Sequence, residues 1–458
     1  MRGSANIQHR PYLPPVFKNE KAAPYVCRLA PFADGFELEW LGDASLPHTL
    51  CLWEREKEEK IEIPVTDHVV LVDGLTRDKE YAFYVECEGG KRSRTRLVRT
   101  GELPDQTNVI NYLHPQDGQY DFSGRFLCSP SIVQLPSGRM LCSMDLYGKE
   151  MPQNLMLLFY SDDDGESWRY LCDLYPFYWG SLFYYGDKLY VLGLSTEYGN
   201  LTIACSLDEG ETWSKPTTLF YGSSVLCKYG GMHRSPMLPV AHNGRLWTSA
   251  EYGCWKCGSH LPAVLSIAEG DDLMVSENWT LSDFLPFDGE WMRASDGKQG
   301  DTMEGNLAVI DGELYTLMRY KKGQILKMRV HTDDPERAPE FCEILEAPVS
   351  NSMFRVVPDG DGFLLVTNRV TDAAWPQDAW SHRTVLSIFR TKNFRSFEWI
   401  RDVVNRENES ANCVGFQYPC CIKRGNTLSI AIRSAFNQAD TFHNSNYILF
   451  YKTEIETN

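Results

Sequence analysis

Histidines, tyrosines, acids and arginines at the ends of short apolar runs are the residues best suited to chemistry in this chain. His233-Arg234 follows a glycine pair, Gly230-Gly231. A histidine works as general acid or base near neutral pH, and an arginine clamps a carboxylate with two parallel hydrogen bonds. The plainer alternative is a pair that satisfies loop carbonyls. Glu251-Tyr252 ends the run RLWTSAEY. Glu251 is a candidate base or arginine partner, and Tyr252 a candidate acid or stacking ring; otherwise they are a salt-bridged Glu and a core Tyr. Glu304-Gly305-Asn306 opens a strand that ends in Arg319-Tyr320, where Arg319 could equally form an ion pair between sheets. Arg355 closes NSMFR, and His382-Arg383 follows AWPQDAWS. Two tryptophans beside a basic pair suit stacking plus anion binding, with ordinary loop packing as the alternative. Tyr418 lies in GFQYP, and Arg433 and His443 follow near the end. We expect His233, Tyr252, Glu251, Tyr418 and His443 to be catalytic. Arg234, Arg319, Arg355, His382, Arg383, Arg433, Glu304 and Asn306 are expected to bind substrate.

This inventory works without a metal or an organic cofactor, and none is expected. Cys254-x-x-Cys257 could be half a zinc site or a redox pair, but no second CxxC with matching spacing follows. Two thiols in a loop is the simpler reading.

These side chains need a frame, and two strings define it. SDDDGESW (161–168) and SLDEGETW (206–213) each place an Asp two residues before a Gly. The Asp bonds local backbone, the Gly takes φ > 0, and the Trp enters the next strand. Each string follows an apolar strand (LMLLFY, LTIACS), and the copies stand 45 residues apart. That matches one four-stranded blade of a propeller. The chain has 12 Trp and 23 Tyr, recurrent turn dipeptides and no long amphipathic helical pattern, so an all-β fold is expected. About 350 residues at about 45–50 per blade give seven blades, with six as the alternative. The first ring strand, NVINYL, and the last, NYILFYKTEI, are both apolar and are expected to pair and close the ring.

Residues 21–103 read as a β-sandwich after an N-terminal segment, 1–20. In LVDGLTRDKEYAFYVEC, Leu75 precedes Tyr81 by six residues. This resembles the tyrosine corner of fibronectin type III domains. Such a module would be a spacer, a docking surface or a homo-oligomer contact. GELPDQTN (101–108) reads as a linker, which leaves 104–458 for the propeller.

The two strings are Asp-boxes, and the chain is similar to sialidase-like propellers. SPSIVQLPSGRMLCSMDLYG, HRSPMLPVAHNGRLWTSAEYG, EGNLAVIDGELYTLMRY and RSAFNQADTFHNSNYILF carry the likeness. This wider group includes polysaccharide lyases, rhamnose–glucuronate-cleaving enzymes and proteins of unknown activity. The resemblance implies an enzyme that cleaves an oligosaccharide at a uronic-acid or rhamnosyl-uronate unit. β-Elimination needs a group that neutralises the carboxylate, a base and an acid. Hydrolysis more often needs two opposed carboxylates, with Glu251, Glu304 and Asp145 as candidates. True sialidases use three arginines, the first in an Arg-Ile-Pro motif, and a Tyr/Glu nucleophile pair. Here Ser129 or Ser131 stands where that arginine is expected, and Met144 where relatives often have a His. A non-catalytic glycan-binding propeller and an exo-sialidase are the alternatives.

Net charge is −17, from 45 basic and 62 acidic residues. Residues 1–103 hold 15 and 17 of these, net −2, so the rest carries −15. So acidic a surface disfavours nucleic acid and anionic membranes, and an acidic sugar would need a local arginine cluster. The opening MRGSANIQHRPYLPP lacks the apolar core of a signal peptide. The 14 cysteines have no regular spacing. Both features lead us to expect a cytoplasmic protein.

Overall fold

A computed structural model describes residues 23–43, 45–223, 230–254, 259–286, 302–372 and 382–456. The segment 1–20, Cys257 and the Trp-rich string 374–381 lie outside them. The described residues are all-β apart from one 3-10 turn, Ser276–Asn278.

Seven strands come first: β1 (Tyr25–Phe32), β2 (Gly35–Leu41), β3 (His48–Glu54), β4 (Ile61–Val65), β5 (Val69–Val72), β6 (Glu80–Cys87) and β7 (Arg96–Arg99). They form two sheets, β1-β2-β5 and β4-β3-β6-β7. Trp40, Leu50, Phe83 and Val85 lie between them with no exposed surface, as alternation along half-buried strands requires. The Tyr81 hydroxyl accepts from the Thr76 N–H at 2.9 Å, and Leu75 packs against the same core.

The remaining strands make six sheets, each antiparallel throughout. The first joins β9 (Phe126–Gln134), β10 (Met140–Tyr147), β11 (Met156–Ser161) and β12 (Arg169–Leu174). The second joins β13 (Tyr178–Tyr185), β14 (Lys188–Leu194), β15 (Leu201–Ser206) and β16 (Thr217–Phe220). In the third, β17 (Gly231–His233) and β18 (Val240–His242) share the edge of β19 (Arg245–Cys254), followed by β20 (Ser259–Ala268) and β21 (Trp279–Leu281). The fourth holds β22 (Met303–Ile310), β23 (Glu313–Lys321), β24 (Gln324–Arg329) and β25 (Glu340–Glu346). The fifth holds β26 (Arg355–Asp359), β27 (Gly362–Asn368), β28 (Val385–Thr391) and β29 (Glu398–Asn405). The sixth runs β30 (Gly415–Arg424), β31 (Thr427–Ala435), β32 (Tyr447–Glu454) and finally β8 (Thr107–Tyr112). The expected closure is therefore formed: β8 pairs with β32 from Tyr112↔Tyr447 to Thr107↔Tyr451.

Repeated four-stranded antiparallel sheets closed in this way are the construction of a β-propeller. The described residues hold six sheets of this kind, five four-stranded and one, the third, in which β17 and β18 share the place of one strand, where seven blades are the favoured expectation and six the alternative. First strands begin at 126, 178, 231, 303, 355 and 415, so the repeat is 52 to 72 residues. The two Asp-boxes stand in the first two of these sheets, whose first strands begin 52 residues apart.

Both Asp-boxes fold as expected. Asp163 Oδ1 accepts from the Ser161 hydroxyl (2.7 Å) and the Ser167 N–H (2.9 Å), and Gly165 has φ 90°. Asp208 repeats this with Ser206 and Thr212 at 2.9 and 2.8 Å, and Gly210 has φ 95°. A Cβ on Gly165 would stand 2.1 Å from Phe450. Trp168 is fully buried against that same ring, whereas Trp213 is only partly buried.

The sandwich packs on the seam of the ring. Arg28 donates to Ile110 O (2.8 Å) and Val109 O (3.0 Å) on β8, and Glu39 accepts from Tyr170 N (2.9 Å). Its apolar core continues into that of the last two sheets. No helix among the described residues is long and apolar enough to cross a membrane. The 12 described cysteines are all free thiols, Cys254 among them.

Candidate active site

Four of the six first strands share one irregularity. Each slips register against its neighbour, at Cys128/Ser131, Tyr178/Ser181, Met303/Asn306 and Gln417/Cys420. Within each slip one residue takes a positive φ: Ser129 (45°), Trp179 (50°), Glu304 (61°) and Tyr418 (53°). Bulges of this kind re-aim a side chain, and non-glycine residues held there store about 1–3 kcal/mol each.

Two re-aimed side chains meet. The Tyr418 hydroxyl donates to Glu304 Oε1 at 2.6 Å. Arg319 Nη1 donates to Glu304 Oε2 at 2.8 Å and to the Tyr418 oxygen at 3.1 Å, while its Nε donates to Asn351 Oδ1 at 2.9 Å. Arg383 donates to Gln417 Oε1 and to Asn351 O (3.0 Å). Arg433 donates to Ser445 Oγ (3.2 Å) and to His443 O. The Arg383 and Arg433 guanidinium groups lie 5.9 and 5.1 Å from the Tyr418 ring. Three arginines thus surround one tyrosine. Glu304 precedes Arg319 by fifteen residues, and Tyr418 precedes Arg433 by the same interval. Each time, a bulged first strand and the second strand of its hairpin supply the two members.

Polar side chains of the preceding sheets brace these bulges. Glu251, on β19, accepts from the Gly305 N–H at 3.3 Å. Asp145, on β10, accepts from the Trp179 N–H at 2.9 Å. Asn368, on β27, donates to Phe416 O at 2.6 Å. The His233 Nδ1–Glu251 Oε2 contact is 2.8 Å, and His260 stands 4.4 Å from the His233 ring. His260 Nε2 meets the Tyr198 hydroxyl at 3.1 Å.

Burial opposes ionisation of the bracing groups. It drives Glu251 up to about 8 and His233 down to about 3, so the couple shares one proton and stays neutral overall at pH 7. It also raises Asp145 well above the carboxylate range. Glu304 differs: burial pushes it up, but Arg319 and the Tyr418 hydroxyl outweigh that and hold it below its usual value. Burial and the Glu304 charge raise Tyr418. Burial, then the neighbouring Arg319, lowers Arg383 to about 9, which leaves it charged at neutrality. Three guanidinium groups less one carboxylate give this cluster two positive charges, inside a protein of net −17.

The expected site residues therefore divide. Glu304, Arg319, Arg383, Tyr418 and Arg433 come together. His443, half-buried, joins them through Arg433 (Nδ1 at 3.4 Å), and burial followed by Arg433 pushes it well below the usual histidine range. His233 and Glu251 have essentially no exposed surface and stand behind the Glu304 bulge. Arg234 is fully buried and donates to Leu192 O, Met237 O and the Ser181 and Thr248 hydroxyls, as its plainer reading has it. The Tyr252 hydroxyl goes to Gly230 O (3.4 Å) and its ring packs on Phe284, away from the cluster. Asn306 ties sheets together through Phe354 O and Val356 N. His382 meets Lys322 Nζ at 3.2 Å. Arg355 faces a different cavity, described below. Asn351 and Gln417, which orient the arginines, were not singled out as binding residues. No group of acids, histidines or cysteines among the described residues has a metal-binding arrangement.

No protein-family profile and no curated protein matches the chain by sequence. By structure it is similar to α-L-arabinofuranosidase Arb93A from Fusarium graminearum in complex with an iminosugar inhibitor, with TM-score 0.51 and 12% identity over 77% of this chain and 98% of that one. It is similar to Penicillium chrysogenum α-L-arabinanase complexed with arabinobiose, at 0.50 and 12% over 77% and 98%. The Hadza microbial sialidase Hz136 matches at 0.50 and 13%, over 97% of this chain and 95% of that one, so sandwich and ring are both covered. The likeness is one of fold: the chain has the β-propeller fold of these glycosidases.

Proposed function

We propose that the chain is a carbohydrate-active enzyme that cleaves the glycosidic bond of a carboxylate-bearing sugar, a uronic or sialic acid, by hydrolysis through a covalent intermediate on Tyr418. The observation that carries this is the 2.6 Å Tyr418–Glu304 hydrogen bond inside a ring of three arginines. It supplies the Tyr/Glu pair that the sialidase likeness called for, and it favours hydrolysis over β-elimination. Arg433, from the last sheet, stands in for the arginine that Ser129 and Ser131 lack. We also take 104–458 as a six-bladed propeller and 21–103 as a fibronectin III-like domain, on the strength of the Tyr81–Thr76 bond.

The arginines hold the sugar carboxylate. The Tyr418 oxygen attacks the anomeric carbon while its proton passes to Glu304 Oε1, and the leaving oxygen departs with the bonding pair. A water then displaces Tyr418 from that carbon and passes its proton, through solvent, to the departed leaving oxygen, while Glu304 returns the first proton to the phenolate oxygen. Glu304 is ionised at rest and Tyr418 protonated, which is the order this transfer needs.

The test is incubation with 4-nitrophenyl glycosides of glucuronic and sialic acid, read by nitrophenol release and product mass. We expect sugars of hydrolysis mass, and no release by Tyr418→Phe. A product lighter by one water would replace hydrolysis with elimination. Binding without release would favour a glycan-binding propeller.

A further inference from the structure

The first strands run on from the Tyr418 cluster to their other ends, and that end of the ring, its second mouth, is not used by the reaction above. A cavity of about 970 Å³ opens there. Ile132, Phe183, Leu307, Val356 and Ile422 line it, and so does Arg355. Arg355 opens β26 and is only 4% exposed. Its Nη1 lies 3.5 Å from Pro236 O and 2.9 Å from the Met237 sulfur. A carbonyl at the limit of hydrogen bonding and a thioether are weak acceptors. Among the described residues no carboxylate pairs with it. The other cations of the wall are engaged: Lys423 with Asp359 (3.1 Å), Lys392 with Asp361 (2.7 Å), and Arg424 with the carbonyls of Gln134 and Leu135. Met237, Met353 and Tyr418 form an apolar cluster between this cavity and the arginines of the first mouth.

A buried guanidinium without counter-charge is costly, and its planar fork matches a carboxylate. The volume falls within the range of small-molecule sites, about 300–1,000 Å³. We propose that the second mouth is a separate binding site for a small carboxylate with an apolar body. The carboxylate would lie on Arg355, and the body against Ile132, Leu307, Val356 and Ile422. This inference is independent of the proposed reaction.

Calorimetric titration of the full chain with benzoate, hexanoate, acetate and the neutral benzamide tests it. Benzoate and hexanoate should bind saturably, one per chain. Acetate, lacking the body, and benzamide, lacking the charge, should bind at least about tenfold more weakly. Arg355→Met should abolish benzoate binding while melting cooperatively. Val309→Trp, which fills the cavity and keeps Arg355, should also abolish it. Tyr418→Phe should bind benzoate like the parent, so a failed reaction and a failed second site remain distinct results. Equal binding of benzoate and benzamide, no saturable benzoate binding, or binding that survives both cavity variants would overturn the proposal. So would a loss caused by Tyr418→Phe alone.

Discussion

The two mouths of the ring use the same strands in opposite ways. At the first, four strands are bulged, the backbone is strained at Ser129, Trp179, Glu304 and Tyr418, and the charges Glu304, Arg319, Arg383 and Arg433 crowd together with partners. At the second, those strands have regained regular register, the walls are largely apolar, and among the described residues one buried arginine has no carboxylate partner. Strain and paired charge collect where side chains must converge; volume and an unpaired charge collect where they need not. The difference arises within a few residues: Glu304 belongs to one mouth, while Leu307 and Val309 line the other.

The widest separation should appear in kinetics. Tyr418→Phe is expected to lower kcat by about 10³-fold or more, because phenylalanine cannot form the glycosyl bond; Arg355→Met should leave kcat for the same aryl glycoside within a few-fold. Comparable losses in both would erase the distinction between the mouths.

Stability should then split by sign. Arg319→Met strands the Glu304 charge in a buried site and is expected to cost about 3–5 kcal/mol. Arg355→Met removes an unpaired buried charge from an apolar wall and is expected to stabilise by about 1 kcal/mol. Urea titrations of both variants compare them directly, and destabilisation by both would mean that Arg355 is satisfied after all.

A smaller effect should follow pH, and only at the first mouth. Glu251 holds its proton up to about 8 in the fold, against about 4.3 unfolded, so its contribution falls as pH rises through that window. His233 holds its proton only below about 3, against about 6.5 unfolded, so its contribution grows with pH between those values. The two slopes, each about 1.36 kcal/mol per pH unit, cancel from about 4.3 to 6.5. From about 6.5 to 8 the Glu251 slope stands alone and removes about 2 kcal/mol. Glu251→Gln keeps an acceptor for Gly305 and should abolish that decline in melting scans across pH 6 to 8.5. A parent that melts at constant temperature over this interval would contradict the assignment. Arg355→Met leaves the His233–Glu251 couple in place, so it should follow the parent's pH profile.

The smallest change lies remote from both mouths. Asp163→Ala removes the acceptor of the first Asp-box turn and should cost about 1 kcal/mol by denaturant titration, with kcat unchanged.

Much of this was legible in the sequence because it is local. Asp163 and Asp208 fix their turns within a handful of residues, and Tyr81 bonds Thr76 five residues away. The β8–β32 closure was readable from two apolar ends. The Glu304–Tyr418 pair was not, although both residues stood out, because 114 residues separate them and ring geometry alone joins them. The fifteen-residue interval shared by Glu304/Arg319 and Tyr418/Arg433 was the available signal. Arg234 and Arg355 show the limit: both are buried arginines at the edge of a first strand, Arg234 just after β17 and Arg355 opening β26, one spent on carbonyls and hydroxyls and the other facing a cavity. Which way a buried guanidinium turns depends on neighbouring sheets, and no local pattern encodes it.

Placing β8 beside β32 also sets a timetable. A ribosome delivers β8 more than three hundred residues before its partner, and until then β8 leans on the sandwich through Arg28. The early domain thus acts as a holder that shelters one open edge of an unfinished circle during translation. Removing the sandwich should therefore harm the yield of newly made protein more than the endurance of protein already folded.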